Sequence, residues 1–172
     1  LWGRKTSAQW RVIEEALRTQ AGQRDRTMQG LANADRFFPS MESIFKKFGI
    51  PTEITRLPMV ESSFNVQAIS KVDAVGVWQF LEKSAMEYLV VDQTNQIDER
   101  LSPIKSTYAA AKMFKRNYSI LKDWGLAIIA YNHGAKNLIP IRKKFTGDNI
   151  ARLLHETKKT PLGYASRSFY AC

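Results

Sequence analysis

Apolar residues in this chain recur at the 3.6-residue interval of a helix and almost nowhere at the two-residue interval of a strand. Trp10, Ile13, Ala16 and Leu17 share one face, and Met41, Ile44, Phe45 and Phe48 share another at offsets of 0, 3, 4 and 7. The second stripe stops at Gly49 with Pro51 behind it: a glycine suits a helix exit and a proline cannot continue the helix. Ala110, Met113, Phe114, Tyr118 and Leu121 make a further stripe, for which Ser106 is the expected N-cap. Ile150, Leu153 and Leu154 repeat the pattern behind Asp148 or Asn149. Residues 124–131 are apolar on all sides, which periodicity alone would allow as a buried strand or a buried helix. Asp123 as a cap, two alanines and Gly134 favour the helix. Convincing strand alternation and Asn-Gly hairpin signals are absent. The expected class is all-α, without an internal repeat.

A chain of 172 residues suits one domain with a real core. Residues 1–36 are mixed and polar around Gly22 and Gly30, and are expected to form an N-terminal helical extension on a domain spanning 37–172. The longest apolar run, residues 126–131, falls far short of the roughly 18 residues of a membrane span. There are 26 basic against 16 acidic residues, a net charge of +10, which points to an acidic partner such as nucleic acid, anionic lipid or cell-wall glycan. Charge alone does not choose among them, and the densest basic group, Arg142 to Lys144, is ordinarily just a solvated face. A single cysteine, Cys172, rules out an intrachain disulfide, and His133 and His155 offer no zinc spacing. The chain opens at Leu1 without a methionine or a signal-like stretch, as a processed or excised domain would.

One stretch is unlike ordinary helix filler: Leu57-Pro58-Met59-Val60-Glu61-Ser62-Ser63-Phe64-Asn65. A lone glutamate there can be a cap or half of an ion pair. It can also be a general acid, because apolar neighbours disfavour the charged carboxylate and let it hold a proton near neutral pH. The flanking hydroxyls of Ser62 and Ser63 are expected to orient it. Ser70 follows nine residues after Glu61, within Gln67-Ala68-Ile69-Ser70, and Gln79 eighteen after it, within Gly76-Val77-Trp78-Gln79-Phe80. Asp98-Glu99-Arg100, Ser106-Thr107-Tyr108-Ala109-Ala110 and Ala130-Tyr131-Asn132-His133-Gly134 come later in the chain.

These segments, in this order and spacing, resemble the lytic transglycosylase family built on the goose-lysozyme-like SLT domain. Gly76-Val77-Trp78-Gln79-Phe80 and the preceding Leu57-Pro58-Met59-Val60-Glu61-Ser62 look most like the membrane-bound lytic transglycosylase D branch, as does Ala165-Ser166-Arg167 with Phe169-Tyr170. The resemblance runs from about residue 37 to 170. It implies a lysozyme-like helical domain that cuts peptidoglycan glycan strands, with Glu61 as the catalytic acid and then base. It further implies substrate contacts from Ser70, Gln79, Tyr131 and Asn132, no metal, no cofactor, and action in the periplasm or cell envelope. A membrane anchor would lie outside the given chain.

Blander roles stand beside these. Ser70 can be a turn serine, Gln79 a satisfied interior amide, and Asn132 a residue that holds its loop. Trp78 and Trp124 are read as core residues rather than sugar platforms. The sequence also departs from the family's pattern at Val66, Val75, Glu82 and Ser84, which bears on groove shape and leaves the acid untouched. The competing functions are a hydrolytic muramidase with Asp73 directing water, and a silent glycan-binding domain. Nucleic-acid binding has only the net charge behind it. Residues 92–96 lack the calcium-loop pattern and read as a loop.

Overall fold

In the computed structural model, residues 24–144 are described. The stripes expected at Trp10 and Ile150, and the segment from Ala165, lie outside them. Helix α1 (Arg24–Asp35) leads into α2 (Phe38–Phe48), and a 3-10 turn (Thr52–Arg56) runs into the short α3 (Leu57–Ser62). A looped segment follows, then α4 (Glu82–Ala85), the two-residue strands β1 (Val91–Asp92) and β2 (Ile97–Asp98), and a 3-10 turn (Glu99–Leu101). Helices α5 (Pro103–Leu121), α6 (Trp124–His133) and α7 (Ala135–Lys144) complete the described chain.

The stripe on α2 buries Met41, Ile44 and Phe45. Gly49 ends that helix at φ 67°, its N–H reaching back to the carbonyls of Phe45 and Lys46. The left-handed conformation suits glycine because no Cβ opposes it. The apolar run after Asp123 is a helix, and the Asp123 carboxylate accepts the Leu126 N–H at 2.7 Å.

The all-helical expectation is borne out, and one detail within it is corrected. Helix α5 starts at Pro103, with Ser102 rather than Ser106 as its cap: Ser102 Oγ accepts the Lys105 N–H at 3.3 Å. A Ser-Pro pair is a natural helix start, since proline's missing N–H costs nothing at the first position. Ser106 is buried one turn in, and its hydroxyl donates to the Ser102 carbonyl at 2.6 Å. The helices are joined by one small strand pair as well. A short antiparallel ladder pairs Val91 with Asp98 and Asp92 with Ile97. Its turn is held by the Asp92 carboxylate, which accepts the N–H groups of Thr94 and Asn95 at 3.0 and 3.1 Å. Strands of two residues are too short to alternate visibly.

The core gathers where α2, α5 and α6 meet the looped segment. Trp78 is fully buried, stacked on Phe45 with centroids 5.8 Å apart, and flanked by Phe114 and Tyr131. Its Nε1–H donates to Thr107 Oγ1 at 2.9 Å, so the one polar atom of a buried indole is satisfied. Trp124 is only partly buried and stacks on Tyr118. Among the described residues no helix is long and apolar enough to cross a membrane.

Candidate active site

Glu61 lies in the last turn of α3, a helix opened by Pro58 near its first position and closed abruptly by two non-glycine residues in left-handed backbone, Ser63 at φ 50° and Phe64 at φ 53°. Such conformations cost about 1–3 kcal/mol and persist only where surroundings enforce them. Here Phe64 is buried, edge-on to Phe38 at 5.1 Å. On its other side, α3 meets Gly30 of α1 so closely that a Cβ on Gly30 would lie 3.0 Å from the Ser63 carbonyl oxygen.

The Glu61 carboxyl is mostly removed from solvent, and burial raises its pKa from 4.5 to about 7. Among the described residues no cation sits close enough to oppose that rise, and no hydroxyl is bonded to the carboxyl. The Ser62 hydroxyl, expected to orient Glu61, instead donates to the Val77 carbonyl at 3.0 Å. It ties the acid's helix to the segment carrying Trp78 and Gln79, and it also reaches the Pro58 carbonyl one turn earlier at 3.4 Å.

Tyr131 approaches from α6. Its ring stacks on Phe114 at 5.0 Å and its hydroxyl donates to the Trp78 carbonyl at 2.6 Å. Burial, and then the nearby charge on Glu61, push its pKa well above the ordinary value. The tyrosine is therefore a fixed neutral donor beside the acid. Residues 77 and 78 are thus gripped from both sides, by Ser62 on α3 and Tyr131 on α6, and the next residue is Gln79.

Gln79 is partly exposed and sits at φ 50°. Its amide nitrogen donates to the carbonyls of Gly76 and Ala68 at 2.9 and 3.3 Å, which leaves the side-chain oxygen free as an acceptor. Ser70 occupies the turn before it. Its oxygen accepts the N–H groups of Ala74 and Val72 at 3.0 and 3.3 Å, with its own proton still available. Asn132 is exposed on the last turn of α6, and its side chain makes no hydrogen bond to the described residues. The helix exit is bridged instead by the Asn137 amide, which donates to the His133 carbonyl at 2.8 Å. The fold thus brings Glu61, Tyr131 and the Gln79 turn together, with Ser70 on that turn and Asn132 exposed on the helix that carries Tyr131.

Asp73, the carboxylate considered for directing water, is exposed at φ 58°. Asp98 is occupied by Arg100 through three contacts of 2.7–3.1 Å, which hold its carboxyl below the ordinary range. No cluster of histidine, cysteine, aspartate and glutamate able to hold a metal occurs among the described residues. A cleft of about 720 Å³ beside Asp35, Phe38, Glu42 and Arg56 is lined by none of Glu61, Ser70, Gln79, Tyr131 and Asn132.

Arg100 stands in the sequence within the Asp98-Glu99-Arg100 segment, which by itself gives it no role. It is a buried cation whose guanidinium spans Asp98 and the carbonyls of Asp73 and Phe80. The aspartate two residues before it was the visible signal; the two carbonyls, 27 and 20 residues away, were not.

Residues 42–152 match the family model described as the Transglycosylase SLT domain. Membrane-bound lytic murein transglycosylase D of Escherichia coli (strain K12) is 39% identical over 90 residues, covering 52% of this chain and 20% of the relative. The protein of the same name from Escherichia coli O6:H1 (strain CFT073) gives the same figures. A protein of Alteromonas sp. (strain M-1) named for tributyltin chloride resistance is 32% identical over 104 residues, covering 60% of this chain and 50% of the relative. The matched region therefore spans a fifth to a half of the length of these relatives.

Proposed function

Because this chain belongs to the Transglycosylase SLT domain family, we propose that it cuts the β-1,4 bond between N-acetylmuramic acid and N-acetylglucosamine in peptidoglycan, leaving 1,6-anhydromuramyl ends. The observation that supports this reading best is Glu61: a partly buried carboxyl, held protonated up to a pH of about 7 by burial alone. An acid near the working pH is the most effective proton donor and the most effective acceptor once spent.

Glu61 donates its proton to the glycosidic oxygen as the C1–O4 bond breaks and positive charge develops at C1. The carboxylate then removes the proton from the muramyl sugar's own 6-hydroxyl as O6 bonds to C1. The net change moves one proton from O6 to O4 through Glu61 and consumes no water. Positioning of an internal hydroxyl supplies much of the rate, since no second molecule has to be captured. Tyr131, kept neutral, donates to the Trp78 carbonyl and keeps the wall beside the acid in place. Gln79 offers its free carbonyl, and Ser70 its free proton, to hydroxyl and N-acetyl groups of the glycan. Asn132 presents an exposed amide next to Tyr131.

A hydrolytic enzyme normally needs a second carboxylate to activate water. Of the carboxylates near the Gln79 turn, Asp73 is solvated and Asp98 is locked to Arg100. The substrate places the protein in the periplasm or cell envelope, and the surplus of positive charge favours binding to an anionic wall polymer. Glu61→Gln tests the proposal: it should abolish lysis of purified sacculi by at least about a hundredfold while the protein stays folded. A folded variant with near-normal lysis would remove the proposal.

A further inference from the structure

The turn that carries Ser70 and Gln79 is held in a conformation its own sequence does not favour. Asp73 and Gln79 both adopt left-handed backbone, at φ 58° and 50°, and neither is glycine. Its internal hydrogen bonds run from Ser70 N–H to the Ala74 carbonyl, from Gly76 N–H to the Ala68 carbonyl, and reciprocally between Val75 and Phe80. Those bonds shape the turn, and the Ser62 and Tyr131 hydroxyls anchor its middle at residues 77 and 78, but none of them fixes the stretches at Asp73 and Phe80 to the rest of the domain.

Arg100 does. Its Nη1 donates to the Asp73 carbonyl at 3.2 Å and to the Phe80 carbonyl at 3.3 Å, so one guanidinium edge bridges both strained residues' neighbourhoods. The other edge is fixed by Asp98, at 2.9 and 3.1 Å from Nε and 2.7 Å from Nη2. Asp98 is itself set by the Arg100 N–H at 3.0 Å. The backbone takes part as well: Gly76 lies so close to the Arg100 carbonyl oxygen that a Cβ there would be 2.1 Å from it. A planar fork with fixed donors can span two carbonyls and a carboxylate at once; a lysine ammonium cannot.

We propose that Arg100, braced by Asp98, is a positioning residue for glycan binding, acting through Gln79. It touches no sugar. It fixes the Phe80 carbonyl one residue beyond Gln79 and the Asp73 carbonyl on the Ser70 turn, and so sets where the Gln79 amide stands relative to Glu61. This rests on the proposed glycan-cleaving reading of the same site.

The test is a double-mutant cycle on the folded full chain, with sacculi or soluble glycan strands as substrate. Arg100→Lys is expected to lower kcat/KM by at least about tenfold, with most of the loss in KM, because a displacement of about an ångström in a binding group is costly. The alkaline limb of the pH profile near 7 should stay in place, since Arg100 does not set the Glu61 environment. In a Gln79→Ala background the same Arg100→Lys change should cost less than about twofold, because the group it positions is gone. A merely structural role predicts the opposite: equal losses in both backgrounds, tracking the fall in thermal stability. That result overturns the proposal, as would a wild-type KM in Arg100→Lys. If Arg100→Lys does not fold, Asp98→Asn carries the same cycle, with a smaller loss that also vanishes in the Gln79→Ala background. Failure of the underlying reading looks different: Glu61→Gln retains cleavage, whereas a failed Arg100 proposal leaves Glu61→Gln dead and the cycle additive.

Discussion

Replacing the acid should make the protein more stable, and the gain should depend on pH. In the folded chain the Glu61 carboxyl has a pKa of about 7, against 4.5 when solvated. The folded state therefore binds more protons than the unfolded state between those values, and stability falls as pH rises through that window. Below 4.5 both states carry a neutral carboxyl and nothing is lost; above 7 the full penalty of a buried charge is present. The separation between the two values corresponds to at most about 3 kcal/mol, and since solvent still reaches part of the carboxyl, about 1–2 kcal/mol is the expected figure. Glu61→Gln keeps the shape and cannot ionise, so it escapes the penalty. Thermal unfolding of both proteins from pH 4 to 9 should give nearly equal Tm at the acid end. The variant should lead by roughly 2–8 °C above pH 7.5, from the usual 2–4 °C per kcal/mol for a domain of this size. A Tm difference that is flat across pH, or a variant less stable at pH 8, would refute the claim that burial holds the carboxyl neutral.

The same pKa predicts that kcat/KM on glycan strands is level below pH 7 and falls about tenfold per unit above it, because the free enzyme must hold the proton it delivers; a pH-rate profile with no break between 6 and 8 would contradict this. Gly76→Ala should be among the most damaging small substitutions, because its φ of 76° and its contact with the Arg100 carbonyl leave no room for a methyl group. A loss of about 2 kcal/mol or more in denaturant unfolding is expected, and a Tm within a degree of wild type would show that the contact yields.

How much of this was legible beforehand depends on the range of the forces involved. The exits at Gly49 and the cap at Asp123 are local, set by a left-handed glycine and a carboxylate within three residues of its N–H, and both were readable. Ser102 is equally local, but the apolar stripe begins further on, so periodicity points to Ser106 instead. That Trp78 belongs to the core followed from its apolar setting, but not that its carbonyl receives the Tyr131 hydroxyl 53 residues away. The partner of the Ser62 hydroxyl is hidden for the same reason: Val77 is fifteen residues distant and only the fold brings it near. Glu61 stood out because its burial is announced by its immediate neighbours. Arg100 did not, since its purpose is defined by two carbonyls whose positions depend on strained residues, and no residue type announces strain at Asp73 or Gln79.

The central claim is that Glu61 works alone, as acid and then as base, and the chemistry of the cut end tests it most directly. Purified sacculi digested with the protein and analysed by mass spectrometry should release muramyl ends in the 1,6-anhydro form, lighter by one water than hydrolysed ends, with no new reducing muramic acid. Asp73→Asn, which alters an exposed carboxylate, should leave that product and most of the rate unchanged. Reducing muramic ends, produced by wild type and lost in Asp73→Asn, would contradict the account and establish a hydrolase that uses two carboxylates.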